Sequence, residues 1–256
     1  MKSTNRSHRQ RGPSRGSLGW PRSRYKANVP DTLSEKVYKA FKRDIVQGVY
    51  APGEPVTEKV LAKIYKGSRT PIREAALRLQ QERLLRIVPN RGYFISQISL
   101  QDLNEIYEYR TAVECAAAEL AASKGADAEV LAELIRLAET SFRTDSRESY
   151  MKFIEADTAF HMDIARLSRN QMLVRAVAEA RCCMERIMYA AIDIHYYGEV
   201  PTREHCDILK AIEERDPDRA RQRMYEHIMQ SKSKVLRLAG PAPAGEYFPR
   251  ITDLGK

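Results

Sequence analysis

Four polar side chains stand where the sequence pattern calls for apolar ones. Asp157 and His161 fall at i and i+4 on the apolar stripe of Ile154, Phe160 and Ile164. His205 falls on the stripe of Ile208, Leu209 and Ile212, and His227 on that of Ala220 and Met224. Residues four apart on a helix share a face, so Asp157 and His161 point the same way. Burial without a partner is costly, and two kinds of partner would meet the need. Each imidazole can be a hydrogen-bonded core residue. Alternatively, three imidazoles and one carboxylate can hold a divalent transition metal, zinc first, with nickel, manganese or iron as alternatives. The chain has five histidines, so three in inward positions is a concentrated set. His8 and His195 take no role, and Cys206 points about 100° away from its neighbour His205 on a helix.

Arg110 and Glu114 also lie on an apolar stripe, with Leu103, Tyr107 and Ala117. They read either as a buried salt bridge that fixes a helix or, for Arg110, as a fork that clamps the carboxylate of a ligand across a cavity from the metal.

The elements that must position these residues are helices. Ser99 and Asp102 open one that runs to about Ser123; others cover about Ala128 to Arg143 and Tyr150 to Leu167. Asn170 caps a long one to about Tyr196, a fifth runs from about Arg203 to Glu214, and Asp216-Pro217 starts a sixth that fades near Gly240. Six helices with short connections make a bundle.

The front half reads differently. Thr32 and Glu35 have capping-box spacing ahead of Val37, Phe41 and Ile45, so a first helix runs to about Gln47. After a Pro52-Gly53 turn, a short helix over about Thr57 to Tyr65 is expected to present Leu61 and Ile64 inward. Ser68 or Thr70 caps a third, with Ile72, Ala76 and Leu79 on one face and Arg69, Thr70 and Arg73 on the other. Two β-prone runs, Leu84 to Val88 and Tyr93 to Ser96, flank Pro89-Asn90-Arg91-Gly92 and predict a hairpin with a basic tip. Three helices and a hairpin are the order of a winged helix-turn-helix, whose third helix reads the DNA major groove.

Charge supports that reading. Of a net +9, residues 1–30 contribute eight Lys/Arg and no acid, and residues 31–99 thirteen Lys/Arg against seven Asp/Glu, which leaves the rest acidic. A basic front half on an acidic partner suits nucleic-acid binding. Residues 1–30 read as a disordered basic arm, 31–98 as the DNA-binding domain, 99–238 as the helical domain and 239–256 as a tail. The four cysteines lack CxxC spacing and fit a reducing cytoplasm, and no apolar run is long enough to span a bilayer.

The stretch GVYAPGEPVTEKVLAKIYKGSRTPIREAALRLQQERLLRIVPNRGYFI resembles the GntR family over about residues 33–97. That resemblance implies DNA contacts from Arg69, Thr70 and Arg73 on the third helix, Lys59 on the second, and Arg91 with Gly92 on the wing. Arg83 stands where the family has a glycine at the end of the third helix. EIYEYRTAVECAAAELAA, DTAFHMDIARLSRNQML and REHCDILKAIEERDPDRARQRMYEH resemble the helical FCD effector domain of the FadR subfamily, over about residues 100–236. The resemblance implies metal ligation by Asp157, His161, His205 and His227, and a small organic-acid effector held in part by Arg110. The expected protein is mainly α: a cytoplasmic, homodimeric repressor of a palindromic operator, whose DNA affinity is controlled by a small carboxylate effector. The other readings are a metal-dependent hydrolase using the same four residues, which the absence of a nucleophile with base spacing disfavours, and a regulator that answers to metal alone.

Overall fold

The computed structural model describes residues 31–143, 146–192 and 201–239. The basic arm, the tail beyond residue 239, His8, His195 and the expected stretch of helix up to Tyr196 lie outside the described residues.

The front half begins with α1 (Leu33–Val46), whose N-cap Thr32 accepts from the Glu35 amide. Only half of the expected capping box forms, because the Glu35 carboxylate instead bonds Arg78 at 2.5 Å. Helix α2 (Glu58–Ile64) is capped by Thr57, and α3 (Arg69–Gln81) follows with Ser68 at its N-cap. Val37, Phe41, Ile45, Leu61, Ile72, Leu79, Tyr93 and Ile95 form one core. Each fully buried aliphatic or aromatic side chain there contributes roughly 1.5–3 kcal/mol. Ile64 departs from expectation: Leu61 is fully buried, whereas Ile64 is 50% exposed. A two-turn helix buries one narrow stripe, and a residue three positions on lies about 60° off it. Tyr65, four positions on, packs on the core instead.

The hairpin forms as β2 (Leu85–Val88) and β3 (Gly92–Ile95), antiparallel with Leu85 opposite Ile95 and Val88 opposite Gly92. A two-residue strand not foreseen from the sequence, β1 (Pro55–Val56), pairs with the other edge of β3 and gives the order β1-β3-β2. Gly92 is required twice over: its φ is +96°, and a Cβ there would lie 2.9 Å from the Val56 carbonyl oxygen. Arg83 takes the positive φ that a glycine would adopt more cheaply.

Six helices make up the described back half: α4 (Leu100–Lys124), α5 (Ala128–Ala138), α6 (Arg147–Leu167), α7 (Gln171–Ile192), α8 (Thr202–Glu213) and α9 (Pro217–Ala239). Ser99 and Asp102 form a reciprocal capping box on α4. Asn170 Oδ1 accepts from the Met172 and Leu173 amides at the start of α7. Helix α5 ends about a turn earlier than expected, since the chain leaves it to seat Phe142 against the Tyr150 and Phe153 rings, each 4.9 Å away. Leu103, Tyr107, Phe160, Ile164, Met184, Ile208, Ile212, Met224 and Ile228 form the bundle core. Helix α4 packs chiefly on α9, and α6 on α7. The candidate ligands therefore enter one interior from three directions.

Candidate functional site

Helices α6, α8 and α9 bring His161, His205 and His227 together. Their ring centroids are 4.7 to 5.5 Å apart, and one nitrogen from each lies within 4.8 Å of the others. All three are buried, and Phe160 stacks on His205 at 4.1 Å. Asp157, one turn before His161, places Oδ1 at 3.5 Å from His205 Nε2 and 4.0 Å from His161 Nε2. The four residues singled out in the sequence thus share one buried site.

Their outer partners orient them. Glu204 accepts at 2.8 Å from His227 Nδ1 and is itself 3.2 Å from Lys234 Nζ. Glu114 lies 2.6 Å from His161 Nδ1. A carboxylate behind an imidazole fixes its tautomer and turns the second nitrogen toward the site. The Nε2 atoms of His161 and His205 have no hydrogen-bond partner although both are buried. Buried polar atoms are nearly always satisfied, and hydrogen-bonded core histidines would not leave two such nitrogens unpartnered in one cluster. This donor set, two or three neutral imidazoles beside a carboxylate, fits a divalent transition metal.

Electrostatics agree. Burial pushes His161 down to about 4 despite the pull of Glu114, and burial and the His227 imidazole push His205 well below its ordinary value. Both are neutral at pH 7, the form that can donate a lone pair to a metal. Burial alone would raise Asp157; the Arg181 guanidinium beside it outweighs burial and holds the carboxyl below its usual range. Burial likewise opposes ionisation of Glu114, and Arg110 with His161 overcomes it.

Arg110 is 1% exposed and donates from Nε to Glu114 at 2.7 Å, so the buried salt bridge is present. Its Nη1 remains without a partner. The sequence reading missed Arg181 on α7, which is 2% exposed, pairs with Asp157 Oδ2 and reaches Thr158 Oγ1 at 3.3 Å. Its signal was available: Arg181 follows buried Val177 by four positions and precedes buried Met184 by three. Glu204 was missed too, because a glutamate beside His205 gives no hint that it faces His227.

Arg181 also walls a second space. A cleft of about 450 Å³ lies between α1 and the α6–α7 pair, lined among others by Lys39, Lys42, Glu155, Arg181 and Tyr189. Nearby, Arg186 on α7 is buried and donates to the Ser96 carbonyl, just beyond β3.

On the winged helix, Lys59, Arg69, Thr70, Arg73 and Arg91 are all exposed, and Gly92 sits beside Arg91 at the end of the hairpin turn. Arg69 and Arg73 are four apart on α3 and share its outer face. Arg73 bonds Glu58 at 2.7 Å, and Tyr93 donates to the same carboxylate at 3.1 Å.

A winged helix with an exposed basic third helix, followed by a helical bundle around a histidine cluster, is the architecture of a DNA-binding regulator joined to a second, helical domain. Family models bear this out: "Bacterial regulatory proteins, gntR family" matches residues 33–95, and "FCD domain" matches residues 105–230. The chain belongs to the GntR family of transcriptional regulators and carries an FCD domain. It is 28% identical over 211 residues to the HTH-type transcriptional repressor RspR of Escherichia coli K12, covering 82% of this chain and 92% of that protein. It is 29% identical over 206 residues to the Nta operon transcriptional regulator of Aminobacter aminovorans, covering 80% and 94%. The solved structure of E. coli McbR/YncC shares the fold with a TM-score of 0.69 at 23% identity, covering 81% of this chain and 99% of that one. These relatives are regulators rather than enzymes, so the hydrolase alternative is set aside. Among the described residues no helix is long and apolar enough to cross a membrane.

Proposed function

We propose that the protein is a cytoplasmic, homodimeric repressor whose affinity for a palindromic operator changes when a small organic acid binds at a divalent metal. Residues 31–98 form the DNA-binding domain and residues 99–238 the sensing domain, with a basic arm before them and a tail after. Arg69, Thr70 and Arg73 meet base edges and phosphates from α3, Lys59 meets the backbone from α2, and Arg91 with Gly92 enters the minor groove from the wing. Two-fold symmetry doubles these contacts on a palindrome. The printed name of the E. coli K12 relative, a repressor, supports the direction of control.

Asp157, His161, His205 and His227 would hold the metal, zinc by preference. When bound, the ion supplies a fixed double positive charge with positions open to an anion. Glu114 and Glu204 keep His161 and His227 in the ligating orientation. Arg110 supplies a buried guanidinium for the effector's charge. The observation that carries the reading is the cluster of three buried imidazoles, in which Nε2 of His161 and Nε2 of His205 have no hydrogen-bond partner. Elemental analysis of the purified protein is expected to find one divalent metal per chain, absent after His161→Ala with His205→Ala. Gel shifts on DNA upstream of its own gene, with and without metal and organic acids, test the regulatory half. A metal-free wild-type protein, or DNA binding indifferent to every acid, would refute the proposal.

A further inference from the structure

Helices α1 and α3 are joined in two ways at once. Their apolar contact includes Val37 and Phe41 of α1 and two small residues of α3, Ala75 and Ala76, both fully buried. Beside it runs a polar seam. Ser34, Tyr38 and Lys42 of α1 recur at four-residue steps, as do Glu74, Arg78 and the C-cap residue Glu82 of α3, so each set forms one stripe. The stripes are linked rung by rung. Ser34 Oγ donates to Glu74, and Arg78 donates to Glu35 at 2.5 Å while lying 3.6 Å over the Tyr38 ring. At the far end two side chains converge on one acid: Glu82 accepts from the Tyr38 hydroxyl and pairs with Lys42 Nζ at 2.5 Å.

These groups are partly exposed, and ion pairs in such settings add little stability. What the seam adds is direction. Apolar attraction is non-directional, and an alanine methyl offers no shape that locks one helix against another. Hydrogen bonds hold only over a narrow range of distance and angle. Arg73 stands one residue before Glu74, about 100° round the same helix, so any rotation of α3 on α1 is passed to Arg73 and to Arg69 one turn earlier. With side chains a helix has a radius of about 5–6 Å, so a rotation of about 10° carries groups at its edge by about 1 Å. Placement within about 0.5 Å is what a binding group needs.

We propose that Glu82 is a positioning residue for DNA readout: by accepting from Tyr38 and Lys42 it fixes the rotation of α3 on α1, and with it the aim of Arg69 and Arg73. The inference rests on α3 being the reading helix, as proposed above. It carries a sign that charge alone does not. Glu82 is an acid in a domain that binds a polyanion, so on charge alone its loss tightens binding to every duplex. As a positioning residue, its loss weakens binding to the preferred duplex only.

The test takes the duplex that the full wild-type chain selects from a random pool, together with a scrambled duplex of the same composition. Both affinities are measured for wild type, Glu82→Ala, Glu82→Gln and Arg73→Ala. In Glu82→Ala the ratio of selected to scrambled affinity is expected to fall about tenfold, within the worth of one bidentate base contact. Scrambled binding holds or tightens, and the salt slope stays that of wild type, since no phosphate contact is removed. Glu82→Gln lacks the charge but keeps an acceptor for the Tyr38 hydroxyl, and is expected to hold the ratio to within about threefold of wild type. A Glu82→Ala ratio equal to wild type, a Glu82→Gln ratio as poor as that of Glu82→Ala, or a loss on both duplexes together overturns the inference. Arg73→Ala separates it from the reading on which it rests. A changed ratio there with none in Glu82→Ala leaves α3 as the reading helix without this positioning residue. An unchanged ratio in Arg73→Ala, or a wild type that selects no sequence, removes the reading helix and the inference with it.

Discussion

The guanidinium of Arg181 on α7 pairs with the Asp157 carboxylate on α6, inside the same buried site as three imidazoles. It takes Oδ2 and leaves Oδ1 toward His205 and His161. Asp157 is therefore shared between a permanent cation and the place where a metal would sit. The guanidinium keeps the carboxylate ionised and stops it from being an uncompensated buried charge. With a metal present the two cations compete for one acid.

That competition predicts opposite effects from one substitution. Arg181→Gln should bind zinc more tightly, because a neighbouring positive charge is gone, yet melt at lower temperature when metal-free. Removing one partner of a buried pair costs about 3–5 kcal/mol. Zinc should restore much of that loss. Chelator competition and thermal melts of both forms check it; weaker zinc binding with unchanged melting would mean that Arg181 is only a metal-positioning group.

Metal removal from the wild type should lower its melting temperature in a concentration-dependent way, because a ligand bound only by the folded state stabilises by mass action, about 2.7 kcal/mol at a hundredfold excess over Kd. Melts in EDTA and in graded zinc measure the shift. The shift should vanish in His161→Ala with His205→Ala. A double variant that still gains stability from zinc would place the ion elsewhere.

Legibility of the sequence followed from how local each signal is. Helix α3 and the Asp157/His161 pair were readable because an i, i+4 spacing fixes a shared face without knowledge of any neighbour. The Ser99/Asp102 cap was readable for the same reason. Strand β1 was not: two residues beginning with a proline carry no period, and the strand exists only because β3 offers it an edge. For Arg181 the spacing to Val177 and Met184 gave the inward face, but its role depends on an acid 24 residues away on another helix, which no local spacing reveals. Ile64 shows the converse error, an apolar residue assigned inward on a helix too short to bury two stripes.

On the winged helix, Glu58 is predicted to restrain Arg73 before DNA arrives. Arg73 Nε donates to Glu58 at 2.7 Å, and the residue is largely exposed, so the contact is one that phosphate or a base can displace. Glu58→Gln should strengthen operator binding a few-fold, by freeing Arg73 and removing an acid near phosphate. Arg73→Ala should weaken it about tenfold or more if Arg73 makes a bidentate base contact, with relaxed preference at that base pair. Gel shifts at fixed salt on wild-type and mutated operators separate the two. Equal affinity in both variants would remove Arg73 from the recognition set.

The last prediction concerns how the site reaches the DNA. Four residues separate the end of β3 from helix α4, which carries Arg110 and is one lever. Helix α7 is a second. It carries Arg181 in the site and, five residues later, Arg186, whose guanidinium donates to the Ser96 carbonyl in the link between β3 and α4. Five residues span about 7.5 Å of helix, so a shift of α7 on rearrangement of the Asp157–Arg181 pair is delivered over a short, rigid distance. Arg186 is buried, and loss of its bond leaves Ser96 without that anchor while touching none of the four candidate ligands. Arg186→Ala should therefore keep zinc and acid affinity near wild type, yet narrow the difference in operator affinity between the loaded and unloaded protein. Couplings between sites are typically about 5- to 150-fold, so a loss toward unity is measurable. Operator titrations in the presence and absence of zinc and an organic acid, alongside calorimetry of each ligand alone, give both numbers. If Arg186→Ala responds to ligand as fully as wild type, α7 is not the lever and the transmission belongs to α4.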